Sequence, residues 1–247
     1  VTGVQTCALP ICVVLGGLAL AFAALAYAWL TLPDVRPLRT TVPASTAWMD
    51  MRAREAVAAG KPVKKVQRWV NYGRISPSLV RAVLVAEDSA FWSHDGIDLE
   101  EIKASIEDSW ENGEPMRGAS TITQQLAKNL YLSPSRNPLR KLTELFITRR
   151  LEVELPKRRI LELYLNLIEW GDGLWGCEAA ARAYFGVSAA DLSPTQAALL
   201  AGAIINPRRY SPAHPNARLL RRQAIILRRM GEVTPPSSSD TPAEIIK

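Results

Sequence analysis

The segment Glu87-Asp-Ser-Ala-Phe-Trp-Ser-His-Asp-Gly-Ile-Asp98 ends an apolar helical run with a carboxylate pair and a glycine turn. Upstream, Ser76-Pro77 is a helix-start signal, because proline at the first helical position gives up only an amide that the helix would leave unpaired. Leu79, Val80, Val83 and Leu84 then recur at the spacing of one helical face, and Glu87 continues it. Glu87 is therefore predicted at the edge of the core. A carboxylate partly withdrawn from water holds its proton more tightly, which suits a general base that must take a proton from a hydroxyl. Asp88 points off that face. The plainer alternative is that both acids flank a helix C-terminus, where the helix dipole mildly disfavours them.

The chain has 247 residues, 48% of them hydrophobic, enough for one sizeable domain and too few for two large catalytic ones. Its 30 basic and 24 acidic residues leave a net charge of +6, compatible with an anionic partner such as phospholipid, pyrophosphate or nucleic acid. From Ile11 to Leu32 no charged residue occurs, and a run of that length matches the roughly 20 residues of a helical bilayer crossing. Residues 11–32 are thus expected to form a single transmembrane helix. Ala26-Tyr27-Ala28 resembles a signal-peptide cleavage site, but the apolar run continues past it through Trp29 and Leu32. Residues 1–10 resemble translated sequencing-adapter read-through and are expected to be a non-native leader. The basic residues that normally orient a first helix are then missing, and orientation must come from function.

Of the three cysteines, Cys7 lies in the leader, Cys12 in the apolar run and Cys177 alone in the domain, so no disulfide framework is expected. No CxxC or HExxH spacing suggests zinc. Residues 33–70, with Pro33, Pro37, Pro43 and Pro62, read as a connector carrying one short helix near Trp48 to Ala59. Beyond it the pattern is almost wholly helical, with few alternating stretches. Pro138 opens a helix to about Leu155, Pro156 another with Ile160, Leu163, Tyr164 and Leu167 at helical spacing, and Ser193-Pro-Thr-Gln196 is a capping box. A basic helix from about Asn216 to Met230 reads as a solvated face or a contact for anionic lipid headgroups. Residues 232–247 are expected to be disordered.

Two further blocks carry chemistry. In Arg117-Gly-Ala-Ser-Thr-Ile-Thr-Gln-Gln-Leu-Ala-Lys-Asn129, Thr121 to Gln124 fits a capping box, and Gln125, Lys128 and Asn129 then share one helical face, either solvated or able to hold a phosphate or a sugar. In Arg136-Asn-Pro-Leu-Arg-Lys-Leu-Thr-Glu144, Glu144 lies one turn from Arg140 and Lys141. The bland reading is an intrahelical ion pair; the functional one makes Glu144 a second active-site carboxylate.

These blocks, followed by Ile160-Leu-Glu-x-Tyr-Leu-Asn166, Gly171-Asp-Gly173 and Ala179-Ala-Ala-x-x-Tyr-Phe-Gly186, occur in the order found in the bacterial peptidoglycan glycosyltransferases, which the chain resembles over about residues 71–210. The resemblance implies a mainly α, lysozyme-like glycosyltransferase domain, set here at residues 71–231, behind one transmembrane helix. It is strongest to the monofunctional branch, single-pass inner-membrane enzymes with the catalytic domain in the periplasm. No Ser-x-x-Lys or Lys-Thr-Gly motif is present, so neither transpeptidase activity nor β-lactam binding is expected.

The family's reaction polymerises lipid II: the 4-hydroxyl of an acceptor attacks the anomeric carbon of a lipid-pyrophosphate-linked strand, with inversion, giving a β-1,4 link and releasing undecaprenyl diphosphate. By resemblance Glu87 matches the base and Glu144 the second glutamate, which assists the leaving group directly or through a divalent ion. Lys128 and Arg136 match cations for the pyrophosphate; Thr121, Gln125 and Asn129 match donor-site positions; and Asp88, placed with these substrate-binding residues, belongs with Phe91, His94 and Gly96 to the first motif. His94 has a metal alternative with Asp95 and Asp98, although a structural hydrogen bond suits it better. No cofactor is required by the sequence, and Mg2+ or Mn2+ dependence is compatible with the family. The implied partners are lipid II, the lipid-linked glycan strand, the inner membrane and proteins of cell division or elongation, not nucleic acid. A lytic transglycosylase or muramidase also uses a glutamate in a helical domain but needs no pyrophosphate cradle, and a non-enzymatic scaffold would tolerate loss of Glu87.

Overall fold

The computed structural model describes residues 8–112, 120–133 and 138–231. In chain order these form α1 (Ala8–Leu30), α2 (Ala47–Ala58), β1 (Val66–Gln67), α3 (Pro77–Glu87), α4 (Leu99–Asn112), α5 (Ile122–Tyr131), α6 (Pro138–Glu154), α7 (Lys157–Leu167), β2 (Glu169–Gly171), β3 (Leu174–Trp175), α8 (Cys177–Phe185), α9 (Pro194–Ala203) and α10 (Ala217–Arg229). The fold is mainly α, as expected. The leader's first seven residues and the tail from 232 onward lie outside the described residues.

Local signals set most helix starts. Ser76 caps α3 through its hydroxyl, which accepts from the Ser78 amide, with Pro77 at the first position. At α5 and α9 both bonds of the capping box form, Thr121 with Gln124 and Ser193 with Gln196. Asn216 caps α10, and Thr46 caps α2. Helix α8 ends at Gly186 in the left-handed conformation, which a glycine adopts without steric cost.

The helices form two groups around one core. α3, α9 and α10 pack on one another; α5 packs between α6 and α7 and against α2. The small residues Ala197, Ala198 and Ala201 of α9 let α3 approach closely, and Leu79, Val83 and Leu84 of α3 are fully buried. Each such side chain removed from water contributes roughly 1.5–3 kcal/mol. The C-terminal end of α3 thereby meets α5, and Glu87 sits at this junction.

A three-stranded sheet of order β1-β3-β2 escaped the sequence reading, because strands of two or three residues carry no detectable alternation. β2 and β3 form an antiparallel hairpin, and β1 joins β3 in parallel. Asn166 staples this region to α7. Its carbonyl oxygen accepts from the Val70 amide at 2.8 Å, and its amide donates to Val70 O and Glu162 O. Gly176, with φ of 85°, turns the chain so close to α7 that a Cβ would lie 2.8 Å from Asn166 O.

The connector of residues 33–70 is no loose linker. Val35, Leu38 and Met49 belong to the core. Arg159 donates to Leu38 O and Thr41 O, and Arg39 pairs with Glu154 at 2.7 Å. Helix α1 carries no charged residue, and its apolar side chains are largely exposed. At its C-terminal end Trp29 meets Phe146 of α6 edge-on, and the Arg150 guanidinium lies 5.1 Å from the Trp29 ring while donating to Leu32 O and Pro33 O. Among the described residues no helical stretch is long and apolar enough to cross a membrane.

Candidate active site

Glu87 is the last residue of α3 and is half-buried. Its Oε2 accepts from Gln125 Nε2 at 2.9 Å, and Gln125 Oε1 in turn accepts from the Tyr164 hydroxyl at 2.9 Å. Burial pushes the Glu87 carboxyl above the ordinary range, with Asp88 acting in the same sense. The Gln125 bond and the charges of Arg222 and Lys128 oppose it. Desolvation dominates, so the side chain holds a proton more readily than an exposed glutamate does.

Asp88 faces the other way, as its place off the apolar face implied. Its side chain is 2% exposed and both its oxygens are engaged by the protein. Oδ1 lies 2.9 Å from His94 Nε2, and Oδ2 accepts from the Ile122 amide at 2.9 Å, at the first residue of α5. A carboxylate there satisfies an amide that the helix leaves unpaired and meets the positive end of its dipole. His94 Nδ1 accepts from the Gly96 amide, so Nε2 carries the hydrogen donated to Asp88. Thr121 donates its hydroxyl to Gly96 O at 2.7 Å and accepts from Gln124. Asp88 and Thr121 both line the cavity beside Glu87, and their hydrogen bonds also join the Gly96 turn to the start of α5. Gly96 itself has φ of 86°, and a Cβ there would meet Thr148 Cγ2 at 2.7 Å.

Gln125, Lys128 and Asn129 line one cavity of about 320 Å³, together with Trp48, Arg52 and Tyr164. A smaller cavity of about 180 Å³ is lined by Glu87, Asp88, Asp98, Thr121 and Arg229. The Gln125 amide links the two, bonded to Glu87 of the smaller and to Tyr164 of the larger. Lys128 lies over the Trp48 ring at 5.8 Å. Burial lowers its proton affinity, Glu144 and Glu87 raise it, and Arg140 and Lys141 lower it again. Asn129 donates to Gln125 O at 2.8 Å.

Glu144 is buried. It pairs with Arg140 at 3.1 Å and with Lys141, and its charge reaches Lys128. A divalent ion does not fit here, since both carboxylate oxygens face cations, whereas Mg2+ takes several oxygen donors in near-octahedral array. Arg136 lies outside the described residues. Among the described residues one group, Asp88, His94 and Asp98, brings three ligand atoms within 4.8 Å. Hydrogen bonds account for it: Asp88 binds His94, and Asp98 caps α4 through the Glu101 amide. Asp95, part of the metal alternative, instead pairs with Arg149 at the surface.

The sequence reading missed Tyr164, which its pattern placed on an apolar helical face, and the wall formed by Trp48, Arg52 and Glu169. Arg52 donates to the buried Glu169 at 2.9 Å across 117 positions, a separation that no local pattern exposes.

A family model described as Transglycosylase matches residues 54–231. Among curated proteins the chain is similar to a biosynthetic peptidoglycan transglycosylase of Laribacter hongkongensis, 48% identical over 194 residues, 78% of this chain and 85% of the relative. One of the same description from Rhodospirillum centenum is 48% identical over 220 residues, 89% of each chain. A third, from Aromatoleum aromaticum, is 51% identical over 168 residues, 68% of this chain and 73% of the relative.

Proposed function

The chain belongs to the transglycosylase family, and on that premise we propose that it is a peptidoglycan glycosyltransferase that polymerises lipid II into β-1,4-linked strands. The observation that carries the reading is Glu87: a desolvated carboxylate lining one cavity, bonded to Gln125 of a second, and within the field of Lys128. Pyrophosphate is already a competent leaving group, so the step that needs help is deprotonation of the attacking hydroxyl. Glu87 takes that proton as the acceptor oxygen bonds to the anomeric carbon from the face opposite the departing pyrophosphate, which inverts the centre. The electron pair of the broken bond leaves with the pyrophosphate, where Lys128 balances the growing charge. Glu144 holds Arg140 and Lys141 beside Lys128 and so supports a cationic cradle. Asp88 and Thr121 act as positioning residues for α5.

The product is a glycan strand still tied to its lipid, made without transpeptidation. We take α1, free of charged residues and with its described apolar side chains largely exposed, as the anchor. Its contacts with α6 beyond the Ala26-Tyr27-Ala28 sequence favour retention over cleavage. The catalytic body then faces the periplasm, where lipid II is displayed.

The test is incubation of the detergent-purified chain with labelled lipid II and Mg2+. A ladder of muramidase-sensitive polymer supports the proposal; intact lipid II, where a reference polymerase works, overturns it. The pH profile adds a second expectation. Lys128 must be charged to serve the pyrophosphate, and its burial brings its deprotonation below the ordinary 10.5. kcat/KM should therefore fall at alkaline pH earlier than a solvated lysine would dictate, and the residual activity of Lys128→Arg should lose that limb.

A further inference from the structure

We infer that Tyr164 is a positioning residue for this reaction: its hydroxyl donates to Gln125 Oε1 and so fixes the amide with its NH2 group, rather than its carbonyl, toward Glu87. The inference rests on the reading of Glu87 as the base.

An amide has two faces of nearly equal size, and its orientation is decided by its partners. Gln125 Nε2 meets two acceptors, Glu87 Oε2 at 2.9 Å and Ser120 O at 3.4 Å. The opposite end meets a donor, the Tyr164 hydroxyl at 2.9 Å. Ionised Glu87 wants the NH2 group. Protonated Glu87 could instead donate to a carbonyl, and a free amide would turn to accept that bond. Tyr164 opposes the turn, because its own O–H would then face an NH2 group and lose its acceptor. A buried hydroxyl left without an acceptor costs about 1–3 kcal/mol. Tyr164 is fully buried on α7, and burial keeps its phenol protonated well above the ordinary range, so it remains a donor wherever the enzyme works. It never needs to touch substrate. It acts through Gln125 by making the hydrogen bond that favours the charged base permanent.

The other groups around Glu87 are Asp88 at the end of α3, Lys128 on α5, and Arg222 on α10. Asp98, Glu101 and Arg229 border the adjoining cavity. All of these stay in place when one hydroxyl is removed from Tyr164, which makes Tyr164→Phe a clean probe. The variant releases the amide, stabilises protonated Glu87, and so raises the pH at which the base ionises.

The experiment is the pH dependence of kcat/KM for lipid II polymerisation by wild type and Tyr164→Phe. Thermal melting is run alongside, and Glu87→Gln serves as a control. The expected result is an acid limb moved to higher pH by about 0.5–1 unit, with activity above that limb within about threefold of wild type. An unmoved limb with uniformly lower activity would mean that Tyr164 merely packs, and the inference fails. If Tyr164→Phe has too little activity to profile, Glu87 is titrated directly. Carboxylate infrared bands of each protein, minus those of its Glu87→Gln counterpart, give the midpoint without turnover. A midpoint equal in the two backgrounds overturns the inference; a higher one with Tyr164→Phe upholds it. Should Glu87→Gln alone polymerise normally, the base assignment is what fails, and the infrared midpoint still decides the role of Tyr164 separately.

Discussion

Glu87→Gln is expected to lose at least about 100-fold in polymerisation, the lower range for removal of a general base, while folding as well as or better than wild type. The two halves come from one cause. Burial raises the Glu87 carboxyl above its ordinary 4.5, so the folded chain binds this proton more tightly than the unfolded chain does. The stability from that proton is complete below the unfolded value and is lost as pH rises through the folded one. At neutral pH the fold therefore carries a carboxylate it would rather protonate, and a neutral glutamine relieves it while still able to pair with Gln125. Thermal melting at neutral pH should place Glu87→Gln level with or above wild type, and the gap should close below about pH 4.5. A variant both inactive and markedly unstable would mean that Glu87 is structural, and its loss of activity would say nothing about proton transfer.

Asp88→Ala should give the reverse result: a severe loss of stability from the neighbouring residue. Its carboxylate accepts the His94 Nε2 hydrogen and satisfies the first amide of α5. Truncation leaves both buried donors without an acceptor, at a cost of roughly 3–5 kcal/mol. For a body of this size that corresponds to a melting temperature lower by about 10 °C. Faster hydrogen exchange at the Ile122 amide would place the damage at the start of α5, and an unchanged melting temperature would remove Asp88 from the joint. These two outcomes would divide the work between adjacent acids, one poorly solvated and the other fully bonded.

That division was half legible in the sequence. The helical spacing placed Glu87 at the core edge and turned Asp88 away from it. The Thr121 and Ser193 capping boxes, the Ser76-Pro77 start and the face shared by Gln125, Lys128 and Asn129 were equally readable, because each is settled within one or two helical turns. What Asp88 turns toward was hidden, since its partner amide at Ile122 lies 34 positions on. Tyr164 was visible only as one more residue at helical spacing, because nothing local to α7 announces that its hydroxyl meets Gln125, 39 positions earlier. The connector was legible in part for a related reason. Its prolines and its short helix were legible, but arginines of α6 and α7 bind its carbonyls from more than 100 positions away.

The Arg150 contact has a mechanical consequence. One guanidinium clamps the last turn of α1 from the side through Trp29 and from below through Leu32 O and Pro33 O, while Phe146 closes the seam. A tether would let the body swivel; this joint is a splint. Any tilt imposed on α1 by its surroundings is handed to α6 as rotation of a single lever, and α6 carries Glu144 along its length. Where the first helix leans, the mouth of the catalytic body leans with it.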